Sequence, residues 1–210
     1  MNQIFKEEKL VLLVLGLIIF SWFFGQIDFQ SALNEASAAT SSQVTVSATV
    51  LATVSCSSAT TTTAFGSVDA NAVYVSTPNV TTTMSCANSS LGCTLSVKDA
   101  GNGSNPGLYK STSPTYLITS ADATLSAGTD GYGIQGATTT NGSGGVLILN
   151  SKYNVTGNTV GGLTLAGLTL ASSSATTSNR EVVVTHKMAV SATAPSGNYS
   201  DTITYSCVAN

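Results

Sequence analysis

The sequence predicts an all-β fold, and three observations carry that prediction. Only 8% of the 210 residues are charged, against about 25% in ordinary globular chains. Thr and Val, which suit pleated surfaces, and Gly, Asn and Ser, which suit turns, fill the vacated places. Apolar residues also alternate with polar ones over many short runs, the period of half-buried strands. With 42% hydrophobic residues the chain is not of the disordered type. Several short strands separated by turn signals predict an antiparallel β-sandwich.

The first element is of another kind. Leu10 to Phe24 reads LVLLVLGLIIFSWFF, preceded by Lys6 and Lys9. As a helix this run spans about 22 Å, short of the roughly 30 Å hydrocarbon core of a bilayer. That length suits the apolar region of a signal peptide, and Ala36-Ser37-Ala38 supplies a small-x-small cleavage pattern. Glu7, Glu8 and the long stretch to Glu35 leave an uncleaved membrane anchor as the alternative. Residues 1–39 are therefore expected to be a signal peptide or anchor, and 40–210 a single secreted domain.

Within that domain Gln43–Cys56 is the longest alternation, with Val44, Val46, Ala48, Val50, Ala52 and Val54 on one face. A short AFGSV follows at 64–68, then strands at Asn79–Cys86 and Cys93–Asp99. Residues 99–107 read as a loop, Tyr116–Thr119 as a strand, and Gly-rich 126–146 as a loop with brief strands near Tyr132–Ile134. Val146–Asn150 and Leu163–Leu170 are further apolar runs. Arg180–Thr193 is a strong strand with Val182, Val184, His186, Met188 and Val190 on one face. Pro195-Ser196-Gly197 turns into the closing strand, where Tyr199, Asp201, Ile203, Tyr205 and Cys207 share a face.

Cys56, Cys86, Cys93 and Cys207 all follow the apolar segment. An even count in an exported chain reads as disulfides, with three connectivities open. Cys56 and Cys86 each end a strand-like run, so Cys56–Cys86 is the preferred pair. Cys93–Cys207 is then expected, joining two strands taken as antiparallel neighbours. Zinc is disfavoured by one histidine and no C-x-x-C. No metal, cofactor or catalytic residue is expected: His186 lies among apolar neighbours, and no carboxylate pair has glycosidase spacing. The net charge of −3, with lysines scattered singly, argues against nucleic acid and against an anionic membrane surface.

Three groups of residues resemble a known family. Cys56, Phe65-Gly66 and Cys86 form the first. Tyr116-Leu117-Ile118-Thr119 followed by Gly131-Tyr132-Gly133 is the second. The ending Gly197, Tyr199, Asp201, Ile203, Tyr205 is the third. Together they resemble bacterial pilus subunits of the chaperone–usher type, of the archaic branch similar to spore coat protein U, over most of residues 44–210. That resemblance implies an Ig-like sandwich lacking its final strand, completed by the N-terminal extension of the next copy. It also implies an assembly chaperone.

Two functions follow as expectations. One is a non-catalytic structural subunit of a surface fibre or coat, joined head-to-tail to copies of itself, with Val44, Val46, Ala48 and Val50 as the donated strand. Equally, those residues could be the first strand of the protein's own sheet. The other function is a self-contained Ig-like binding module, an adhesin or carbohydrate binder. It would need exposed aromatics, for which Tyr74, Tyr109, Tyr116, Tyr132 and Tyr153 are the candidates.

Overall fold

Alternating residues become paired strands, and the strands stack as two facing sheets. The computed structural model describes residues 45–210, so the signal or anchor expected at 1–39 lies outside the described residues. Thr49–Asn210 form one compact unit. No helix occurs among the described residues. The strands are β1 (Thr53–Ser58), β2 (Tyr74–Val75), β3 (Val80–Ala87), β4 (Cys93–Asp99), β5 (Gly107–Lys110), β6 (Tyr116–Thr119) and β7 (Ala123–Thr124). They continue as β8 (Gly131–Thr138), β9 (Ser143–Gly144), β10 (Ile148–Leu149), β11 (Thr159–Val160), β12 (Leu168–Ser173), β13 (Thr177–Ala189) and β14 (Ile203–Ala209).

The first sheet is built on β13. On one side of it lie β3 and then β2, with β1 beyond β3; on the other lie β8 and β9. The second sheet runs β10-β12-β4-β14, and every ladder in both sheets is antiparallel. Between them lie Met84, Leu95, Val97, Ile134, Leu170 and Val184, all fully buried. Each stabilises the fold by roughly 1.5–3 kcal/mol relative to exposure.

The two flanks of the sandwich differ. On one, β8 hydrogen bonds onward to the chain at 153–161: Ile134 N–H to Gly161 O (3.0 Å), its reciprocal (2.9 Å), and Gly136 N–H to Tyr153 O (2.8 Å). These bonds curl the sheet into a half-barrel and seal that edge. On the other flank, β1 pairs only with β3 and β14 only with β4 among the described residues.

Several expectations need correction. Of the strand foreseen at Gln43–Cys56, Gln43 and Val44 lie outside the described residues, and the rest is laddered only from Thr53, because its partner β3 ends at Ala87, directly opposite Thr53. The Gly-rich stretch read as a loop with brief strands near Tyr132–Ile134 contains β8, a strand there eight residues long and paired along β13. The glycines of β8 mark close approach rather than turns: a Cβ on Gly133 would lie 2.7 Å from Gly161 O. Gly133→Ala is therefore expected to cost about 2 kcal/mol, readable as a lowered urea midpoint. The strand foreseen from Arg180 to Thr193 occupies Thr177–Ala189, and the apolar run at 163–170 pairs only from Leu168, through a bulge at Thr169/Ala171.

The disulfide pairing is also corrected: Cys56 bonds Cys207, and Cys86 bonds Cys93. The strands foreseen as neighbours are neighbours, but the register is wrong for bonding within a sheet. Cys56 faces Met84 while Cys86 faces Val54; Cys207 faces Leu95 while Cys93 faces Ala209. Each same-sheet pair is thus offset by two residues, a diagonal of about 7–8 Å between Cα atoms, beyond the usual disulfide span. Across the sandwich the Cα separations are 5.7 and 6.3 Å. Both bonds therefore staple sheet to sheet, and all four cysteines are used. Two such bonds indicate an oxidising compartment.

Candidate functional site: the groove between the first and last strands

The unsealed flank carries a groove in two adjoining sections, of about 540 and 390 Å³. The upper section runs along Cys56–Ser58, Thr60–Thr63 and Ile203–Tyr205, with Val80 and His186 within. The lower runs between Phe65 and Tyr199, over Leu108, Tyr132 and Met188. Thr63, His186, Asp201 and Ile203 line both. The groove is therefore continuous, apolar below, and hydroxyl-rich along one rim.

Alternation explains how the groove's walls are made. From Tyr199 to Cys207 every odd residue is half-buried and every intervening one exposed. On β13, Val182, Val184, His186 and Met188 point inward in the same way. Phe65, Tyr132, Gly197 and Tyr199 line the groove's lower section. Phe65 packs edge-on against Tyr132, with ring centroids 6.3 Å apart. Tyr132 in turn stacks on His186, at 6.3 Å and 13°. Tyr199 donates to Pro195 O (2.7 Å) and packs edge-on against Tyr116. Gly197 has no room for a side chain, because a Cβ there would lie 2.5 Å from Lys110 Cε. Lys110 is buried and spends its ammonium on Thr112 O (2.8 Å) and Pro114 O (2.9 Å).

Polar atoms without partners collect beside the groove. His186 is 3% exposed and its Nδ1 has no hydrogen-bond partner. Burial pushes its pKa down to about 4, so the ring is neutral near pH 7. Asp99 and Asp201 come together at the ends of β4 and the closing segment. Asp201 Oδ1 accepts from Gly101 N–H (3.0 Å) and Thr202 N–H (2.7 Å), and Asp99 Oδ1 from Gly107 N–H (3.3 Å). The second oxygen of each is buried and unpartnered, as is the Tyr205 hydroxyl. Burial, then the Asp201 charge, raises the Asp99 pKa to about 7. Burial likewise raises Tyr132 and Tyr205.

This carboxyl pair was not singled out from the sequence, though a signal existed. Cys93, Leu95, Val97 and Asp99 continue one inward alternation, and Tyr199, Asp201 and Ile203 another. An aspartate at a position that calls for an apolar residue marks each strand.

Of the foreseen donor residues, Val44 lies outside the described residues. Val46, Ala48 and Val50 fall in Thr45–Ala52, which has no strand pairing and is exposed throughout. Val46 is 89% exposed and Val50 73%. The five tyrosines offered for ligand contact do not make an exposed platform: Tyr132 and Tyr153 are buried, and Tyr74, Tyr109 and Tyr116 half-buried. Among the described residues no cluster of His, Cys, Asp or Glu has metal-binding geometry. No protein-family model, curated protein or solved structure matches the chain.

Proposed function

We propose that the protein is a non-catalytic structural subunit that joins copies of itself head-to-tail, each filling the groove of the next with its own N-terminal strand. The observation that carries this reading is a vacancy paired with its complement. Among the described residues, the groove lies beside two strand edges without ladder partners, and the same chain carries an exposed, unpaired run of alternating Val and Ala. An added strand would satisfy both the open backbone edges and the apolar floor, which is β-augmentation.

The geometry of the chain favours donation to a neighbour over self-filling. To lie beside β1 in its own groove, the run before Thr53 would have to reverse immediately. From Thr45 to Ser55 the sequence is TVSATVLATVS, with no Gly, Pro, Asn or Asp to make a tight turn. The contact is then heterologous, and contacts of that kind propagate as filaments. A surface fibre or coat outside the cell is the assembly this describes.

The test uses Val46→Asp with Val50→Asp. Because these side chains are exposed in the single copy, the thermal midpoint should shift by less than 2–3 °C, in keeping with a surface change of about 0.5 kcal/mol. Filament formation, read by sedimentation and negative-stain microscopy, should be abolished. Filaments that persist at wild-type yield would refute strand donation by this segment.

A further inference from the structure

We propose that filling the groove takes up one proton at the Asp99–Asp201 pair, so that the site binds its donor strand as an acid-favoured latch. This inference rests on the strand-donation reading above and adds what controls it. Its basis is a set of unsatisfied atoms. Asp99 is 1% exposed, and Asp201 stands diagonally beside it, since Asp99 faces Ile203 across the β4–β14 ladder and Asp201 accepts from Gly101 N–H. Oδ2 of each has no donor. One proton between the two carboxyls satisfies both oxygens; without it, two negative charges face each other, that of Asp99 fully buried.

The surroundings offer no positive charge in place of the proton. Tyr132 of β8 and Tyr205 of β14 face the pair and carry no positive charge, and His186 of β13, stacked on Tyr132, is neutral above about pH 5. Lys110 of β5 is committed to two carbonyl oxygens. Among the described residues the one ion pair is Lys152–Asp122, in which neither partner lines the groove. The donor cannot help either. Between Lys9 and Lys98 the sequence contains no Lys, Arg or His, so the strand offered by another copy brings no cationic side chain.

Asp201 is half-buried and lines both sections of the groove, which is open to solvent. A strand of Val and Ala replaces that water with apolar surface. Ionisation of both carboxyls then becomes costlier in the filled state than in the open one. The filled groove holds the proton to higher pH, and by linkage the proton holds the strand.

The experiment measures binding of a fluorescein-labelled peptide, Gln43 to Val54, to the full-length protein by anisotropy from pH 6 to 9. The dissociation constant is expected to be flat at the acid end and to rise about tenfold per pH unit above about pH 7. Asp201→Asn and, separately, Asp99→Asn should bind with a constant nearly independent of pH; a thermal melt of each checks that it folds. Independently, calorimetry at pH 8 in two buffers of unequal ionisation enthalpy should read uptake of about one proton per peptide. Tight binding by the unaltered protein with no pH dependence and no proton uptake overturns the latch and leaves strand donation standing. No binding at any pH overturns both.

Discussion

Replacing Cys56 and Cys207 together by serine is expected to lower the unfolding free energy by about 5 kcal/mol, the chain-entropy value for a loop this long. The bond closes 151 residues, nearly the whole described chain. Replacing Cys86 and Cys93 should cost about 2 kcal/mol, since that bond closes seven residues. Against a total stability of about 5–15 kcal/mol, the first loss leaves a domain near its threshold and the second does not. Urea unfolding of the two double variants, compared with the unaltered chain, gives the ordering directly. Equal losses would refute the loop-length account. Peptide mapping without reduction should recover Cys86 linked to Cys93 and Cys56 linked to Cys207.

The second large effect is one of pH, and two residues conceal it in the unaltered protein. Asp99 is raised from 3.8 to about 7 by burial and by the Asp201 charge. Folding therefore retains a proton that the unfolded chain releases, and stability falls as pH rises from about 4 to 7. His186 is lowered from 6.5 to about 4 by burial. The folded chain lacks a proton that the unfolded chain binds, so stability rises with pH between about 4 and 6.5. Each slope is at most about 1.4 kcal/mol per pH unit, and they oppose. Urea midpoints of the unaltered protein at pH 4.5, 5.5 and 6.5 should therefore be nearly level. His186→Gln should uncover the falling limb, and Asp99→Asn the rising one. Parallel profiles in all three proteins would contradict this assignment.

The fold class was legible because it depends on local pattern. Alternation at Cys93–Asp99 and Tyr116–Thr119 fell on strands with those same bounds. The misreadings have a common origin in what lies opposite. Residues 45–52 have as good an alternation as β1, but β3 stops where they would need a partner. Gly131, Gly133 and Gly136 look like punctuation until β13 is laid beside them and the neighbouring chain presses from the other side. The cysteines were recognised as disulfides, and even the neighbouring strands were right. Their pairing turned on a two-residue offset that no single strand reveals. The groove itself is a relation between the first strand and the last, so the residues that line it gave only separate hints: Phe65, Tyr132, and an aspartate amid apolar positions.

The Cys56–Cys207 bond has a mechanical meaning in a head-to-tail fibre. Tension on such a fibre would enter a subunit through the neighbour's strand held against β14 and leave through the chain preceding β1. Those two points lie on opposite sheets, so in a disulfide-free sandwich the pull would peel the sheets apart and load the apolar core. Here Cys207 on β14 is covalently joined to Cys56, three residues beyond Thr53. In such a fibre the force path would run through that bond and a few residues of backbone, bypassing the sandwich. Under load, the core would serve to shape the groove, while a single sulfur–sulfur link would carry the strain across each copy.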